Sequence, residues 1–102
     1  MEKMALVLSN FSSPESARSV VRILMQEKTI TCANIHQPHF AIYPWDDKIQ
    51  EEPETCVLFK GPWSEKDRLI SRLRELHPYE LPGIILIDAQ TLPDYAAWLK
   101  NP

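Results

Sequence analysis

Residues 31–60 read TCANIHQPHFAIYPWDDKIQEEPETCVLFK. The first half, from Ile30 to Trp45, is extended in character and carries Thr31, Ile35, Phe40, Ile42 and Tyr43, residue types that favour strands. Pro38 and Pro44 cannot donate to a sheet ladder, so they mark an edge or a bulge. Asp46-Asp47 is a polar two-residue tip, a weaker hairpin signal than Asn-Gly or Asp-Gly. Lys48 to Lys60 then reads as the return strand, ending in the apolar run Cys56-Val57-Leu58-Phe59, and Gly61-Pro62 breaks it.

The ribbon is too long for the chain that carries it. Residues 31–45 number fifteen, and at about 3.3 Å per residue they reach roughly 50 Å. A globule of this size has a radius of gyration of about 13 Å and a diameter near ~34 Å. A continuous hairpin therefore overhangs its own domain. Its outer end bears Ile42, Tyr43, Trp45 and Ile49, which a lone subunit leaves in water. Apolar side chains gathered on a hairpin edge mark a protein contact. A symmetric oligomer, with hairpins covering each other's sheet edges, satisfies them most simply. The competing reading has Pro38 and Pro44 fold the strand back into shorter pieces.

The same hairpin addresses the cysteines. Counting back from the tip pairs Cys32 with Gly61 and Cys56 with Gln37. The thiols then lie about five residues apart along the sheet, roughly 16 Å, beyond disulfide reach. Two free thiols are expected, and their separation is not that of a CxxC motif.

Outward from the hairpin, two helices and two strands complete the pattern. Met4-Ala5-Leu6-Val7-Leu8 is a buried-strand run. Ser13 is a helix N-cap, Pro14 fits the first helical position and Glu15 the first turn. Ala17, Val20, Val21 and Leu24 form an apolar stripe on a helix ending near Lys28. A second helix starts at Ser64, with Leu69, Ile70, Leu73 and Leu76 as its stripe, and stops near His77 because Pro78 follows. Leu81 to Ile87 reads as a fourth strand, apolar on both faces and hence central. Pro93 opens a short helix with Tyr95, Trp98 and Leu99 as core contacts. The order β-α-β-β-α-β plus a terminal helix predicts an α+β ferredoxin-like sandwich, with both main helices on one sheet face and residues 1–102 as one domain.

Composition narrows the function. The chain has 102 residues, 44% hydrophobic and 25% charged, with a net charge of −3. Its 11 basic residues are scattered among 14 acidic ones, so it lacks the basic stripe of a nucleic-acid binder. The longest apolar runs, such as Ile84–Ile87, are far below the roughly 20 residues a membrane span needs. Met1-Glu2-Lys3 leads straight into a strand-like run with no signal-peptide core, which predicts a cytoplasmic protein. With two glycines, the chain has no phosphate-cradling Gly-rich loop, and no Ser/His/Asp constellation or HExxH motif is present. No catalysis is expected.

Four motifs carry a resemblance. Tyr43-Pro44-Trp45-Asp46-Asp47-Lys48-Ile49 resembles the Tyr-x-Trp-x-x-Lys hairpin tip of the CutA divalent-cation-tolerance family. His77-Pro78-Tyr79-Glu80-Leu81-Pro82 is similar to its His-Pro-Tyr-x-x-Pro segment. Pro93-Asp94-Tyr95-Ala96-Ala97-Trp98-Leu99 is similar to its closing helix, and Thr31-Cys32-Ala33-Asn34-Ile35 to its entry into the long strand. Lys60 sits where that family has a strand-end lysine. The resemblance spans essentially the whole chain. It implies an interlocked homotrimer related to PII-type signalling proteins and a role in tolerance of divalent metals, with copper as a metal some members bind. Two ligand positions of metal-binding members differ, Ser9 standing for a cysteine and Leu76 for a second histidine. Only His77 remains of that set, and one imidazole does not make a tight copper site.

The candidate sites follow. His77 is either a metal ligand or cleft contact, or a histidine holding the last helical carbonyls. His36 and His39 are three apart on a strand and so point to opposite faces unless Pro38 bulges the chain. Tyr43, Trp45, Lys48, Lys60, Tyr79 and Trp98 are candidates for an inter-subunit cleft. There the two lysines attract a small anion, or their stems pack along the aromatics of a trimer. Glu51, Glu52 and Glu54 either hold a hard cation weakly or form a solvated edge. The expected function is metal-ion tolerance with weak metal binding or none that is tight. The alternative is a PII-like sensor or scaffold binding an anion or a partner protein.

Overall fold

The computed structural model describes residues 1–102. The chain runs β1 (Glu2–Phe11), α1 (Pro14–Gln26), β2 (Cys32–Ile35), β3 (His39–Trp45), β4 (Lys48–Pro62), a 3-10 turn (Trp63–Glu65), α2 (Lys66–Leu76), β5 (Ile84–Thr91) and α3 (Pro93–Lys100). Every strand pairing is antiparallel, in the order β2-β4-β1-β5, with β3 pairing the far end of β4. This is the expected ferredoxin-like split βαβ arrangement.

Local chemistry sets the boundaries. The Ser16 N–H donates to Ser13 Oγ at 3.1 Å and caps α1, with Pro14 at its first position. Lys28, at φ 62°, turns the chain out of α1 in the left-handed conformation. Asp46 and Asp47 adopt φ of 51° and 61°, the positive pair a two-residue type I′ hairpin demands. Short polar Asp tolerates that region better than most side chains. The tip thus pairs Trp45 with Lys48, and β3 follows the register read from sequence as far as His39 with Glu54.

Beyond His39 the register slips. Ile35 faces Val57, so His36, Gln37 and Pro38 oppose only Thr55 and Cys56. This bulge at Pro38 splits the first leg into β2 and β3. Cys32 therefore faces Lys60 and not Gly61, and it is the His36 N–H, not that of Gln37, that donates to Cys56 O, at 2.9 Å. Both thiols are free. The second leg is unbroken, with fifteen residues in β4, and the molecule is 46 Å long against 25 and 23 Å in its other dimensions. The overhang survives the bulge because β4 alone spans the long axis.

Gly61-Pro62 does not end β4 where expected. Gly61 pairs with Ala5, and Pro62 with Met4, as the strand's last residue. Glycine is needed because the Thr29 carbonyl oxygen lies 2.7 Å from where a Cβ would stand. Strand β5 also departs from expectation. It begins at Ile84, after Pro78 and Pro82 have held residues 77–83 out of the sheet, and it lies at the edge, hydrogen-bonded to β1 alone. In this topology β1 and β4 are the inner strands.

Alternate residues of the inner strands divide two layers. Ala5, Val7 and Phe11 of β1 and Val57 and Phe59 of β4 pack beneath Ala17, Val20 and Leu24 of α1 and Leu69 and Leu73 of α2. On the opposite face α3 covers one end of the sheet, where Met4, Ala96 and Leu99 are buried. Trp98 is not a core residue. It is 44% exposed and stacks on Tyr95 with ring centroids 5.7 Å apart, because the helical period turns Ala96 and Leu99 inward instead.

Candidate functional site: a cleft under the hairpin arm

The face opposite α1 and α2 is left open at the hairpin end. Ala41, Tyr43 and Trp45 of β3 and Gln50, Glu52 and Glu54 of β4 project to the same side, since β3 and β4 pair Ala41 with Glu52 and Tyr43 with Gln50. With Tyr79, Glu80 and Leu81 of the α2–β5 loop, and with Leu8, Asn10 and Ile85 of the sheet, they bound a cleft of about 750 Å³.

His77 anchors one wall. Its N–H donates to Leu73 O at 2.9 Å and closes α2. Its ring is buried and stacks on Phe11, 4.4 Å between centroids and 15° between planes. The Tyr79 N–H donates to His77 Nδ1 at 3.1 Å, so Nδ1 acts as acceptor and Nε2 carries the proton that goes to Asn10 O at 2.9 Å. Burial lowers the His77 pKa, against the opposing pull of the Asn10 carbonyl and of Glu54. The ring thus ties the loop to β1 and does not hold helical carbonyls. Both of its nitrogens are engaged, and a metal could take one only by breaking one of these part-buried hydrogen bonds.

Tyr79 completes the wall. Its hydroxyl donates to Glu54 Oε2 at 2.7 Å, and burial together with that carboxylate drives its pKa far upward. Tyr43 is raised as well, first by partial burial and then by Glu52.

Of the residues singled out in the sequence, Tyr43, Trp45 and Tyr79 meet in this cleft. Lys48, Lys60 and Trp98 do not line it. Lys48 lies at the exposed hairpin tip, while Lys60, opposite Cys32 and Leu6, is twelve residues away, or about 40 Å along β4. The two lysines cannot hold one anion within one chain. His36 and His39 are exposed, and no three His, Cys, Asp or Glu side chains converge as a metal-ligand group. The glutamate run divides, with Glu51 on the arm's other face beside Ile42 and Glu52 and Glu54 in the cleft. That division was readable from the two-residue period counted back from the tip. Asn10 and Ser12, also in the lining, had no local signal, because only the α2–β5 loop folding over β1 brings them there.

Comparison with known proteins converges on one family. The family model described as CutA1 divalent ion tolerance protein matches residues 5–102. The chain belongs to the CutA1 family. The divalent-cation tolerance protein CutA of Pyrococcus horikoshii is 40% identical over 97 residues, covering 94% of each chain. The crystal structure of CutA1 from the same organism superposes with a TM-score of 0.87, at 40% identity and 93% of each chain. The apo structure of the PII-like protein CutA from Nostoc sp. PCC 7120 gives 0.86, at 31% identity over 94% of this chain and 93% of that one. In this chain Tyr79 of the His77-Pro78-Tyr79 segment lines the cleft, and Tyr43 to Ile49 form the tip of the overhanging arm.

Proposed function

We propose that this CutA1 protein works in the cytoplasm as a homotrimer in the response to divalent metal ions, without catalysis and without a tight resident metal site. The observation that carries the assembly is the arm's outer face. Phe40, Ile42 and Ile49 are 71%, 66% and 80% exposed, and Pro44 and Pro53 share that face through the β3–β4 pairing. At the other sheet edge, β5 presents eight residues with one flank unpaired and with Ile85 and Leu86 exposed. A long apolar edge left open is a template for another strand, and an overhanging ribbon with an apolar face is a complement for it. Closed rotational symmetry satisfies both in every copy. Three copies is the number the family resemblance implies.

Metal response at low affinity is supported by the names of the relatives together with the engaged ring of His77 and the replacement of the other two ligand positions by Ser9 and Leu76. Copper is the metal the resemblance points to. The PII-like reading, a sensor or scaffold, is favoured by the cleft itself, which is large enough for a small molecule.

Native mass spectrometry of the purified protein tests the assembly. A trimer that persists on dilution is expected, and a stable single-subunit species overturns it. Copper titration is expected to show only weak uptake, equal in wild type and His77→Ala. A tight, saturable site lost in that variant overturns the weak-binding reading.

A further inference from the structure

We infer that the bulge at Pro38 forms a site for a divalent d-block metal ion, with the imidazoles of His36 and His39 as its ligands. On a regular strand, residues three apart point to opposite faces. The register places these two differently. His36 continues the Ile35–Val57 pairing and donates its N–H to Cys56 O, so it stands opposite Cys56. His39 stands opposite Glu54. Three steps on the first leg are thus matched by two on β4, and the bulge absorbs the extra residue. Glu54 and Cys56 lie two apart on an unbroken strand and share a face, so their cross-strand partners share it too. The neighbours agree, since Ile35 packs against the core and Phe40 pairs with Pro53 on the arm's outer face.

Two strand steps set the histidine backbones about 7 Å apart. Two imidazoles reach across that span to one ion, whose bonds to nitrogen are about 2.1 Å. The Cys56 thiol and the Glu54 carboxylate face the same side, and Tyr79 occupies only Oε2 of Glu54. Two imidazoles beside a thiol and a carboxylate suit copper, nickel or zinc and not calcium or magnesium. Burial raises the Cys56 thiol, which leaves the imidazoles as the primary ligands. Both rings are available. The chain's imidazole hydrogen bonds are those of His77, while His36 and His39 are exposed. No three such side chains converge, so an ion has to draw the rings together by side-chain rotation. That requirement limits affinity. The inference rests on the reading of low-affinity metal uptake and gives that uptake a place apart from His77. The proposed contact between copies uses the arm's outer face and the β5 flank, and neither holds the two histidines.

The test is calorimetric titration of the untagged protein with zinc, which does not oxidise the thiol. Magnesium serves as the hard-cation counterpart. Zinc is expected to bind saturably and magnesium is not. The chain has three histidines, and zinc should shift the ring C–H resonances of His36 and His39, assigned through His36→Ala and His39→Ala, while those of His77 stay in place. Each alanine variant should weaken zinc about tenfold or more, at least the loss that follows removal of a residue that merely orients a ligand. Circular dichroism and subunit count on the same samples confirm that the variants are folded and assembled. No saturable zinc uptake overturns the site. So does uptake unchanged in both variants, a shift confined to His77, or an equal response to magnesium. The copper titration above tests the low-affinity reading separately, because copper uptake that persists in both alanine variants removes this site and leaves that reading standing.

Discussion

The Tyr79 hydroxyl donates a 2.7 Å hydrogen bond to the Glu54 carboxylate, tying the loop after α2 to the strand that carries the arm. The two residues are 25 apart in sequence, and no other side-chain hydrogen bond of the loop reaches β4. Tyr79→Phe keeps the ring and removes the bond, at a cost of about 1–2 kcal/mol for a bond to a charged, partly exposed acceptor. In a domain of this size that lowers the melting temperature by roughly 4–10 °C. Scanning calorimetry checks it. An unchanged melting temperature would mean that the loop is held by its ties to β1 alone, His77 on Asn10 O and the Ser9 hydroxyl on Gly83 O.

His77 makes stability depend on pH in a defined direction. Burial is the first cause of its lowered pKa. The folded state therefore binds its proton less readily than the unfolded chain, whose histidine titrates near ~6.5. The imidazole's contribution is fully present above that value and is lost as pH falls through the lowered folded value. Chemical denaturation at pH 7.5 and 5.5 should show lower stability at the acid end. His77→Phe retains a ring against Phe11, gives up both nitrogen contacts, and should flatten that slope. The same slope in wild type and variant would assign it to other groups.

Much of this architecture is readable along the chain because local rules act locally. Ser13 and Pro14 mark the start of α1, Pro78 ends α2, and Asp46-Asp47 sets the hairpin register out to His39. The slip at His36–Pro38 was not placed, since proline signals a bulge without saying how many residues it absorbs. The edge position of β5 departs from the sequence pattern for a different reason. Ile84 to Ile87 is apolar on both faces, as a central strand would be, yet topology leaves one flank unpaired within the chain. The cleft was half legible. Tyr43, Trp45 and Tyr79 stand out as motif residues, whereas the cleft's acidity depends on which glutamates face inward, and Lys48 and Lys60 draw attention to an anion.

Gly61 gives a direct test of the close approach between β4 and the turn after α1. A methyl group there meets the Thr29 carbonyl oxygen at 2.7 Å, with Ile30 Cα at 3.3 Å, and both neighbours are backbone that cannot rotate away. Thr29 is itself held, its N–H and hydroxyl both donating to Leu24 O at 3.1 Å. Gly61→Ala should destabilise by about 1–3 kcal/mol, as overpacking does. Gly83→Ala serves as the control, because a Cβ there meets nothing within 4 Å. Urea midpoints of the two variants should separate clearly, and equal midpoints would show that the turn can move aside.

The arm's apolar face predicts how assembly fails. Ile42 sits opposite Glu51 on the outer face of the hairpin, 66% exposed and far from the core cluster that holds the fold together. Ile42→Asp adds a charge where a neighbouring copy is proposed to pack, at the desolvation cost of a buried unpaired carboxylate. Within one chain the same substitution only places a polar group in water. Light scattering should therefore show a smaller assembly while far-ultraviolet circular dichroism keeps its helix and strand signal. Glu51→Gln, beside it, removes a charge without adding one and should leave the subunit count unchanged. If Ile42→Asp retains the full assembly, the outer face of the arm lies in water and the contact must be sought along β5, where Leu86→Asp applies the same test to the other half of the proposed interface.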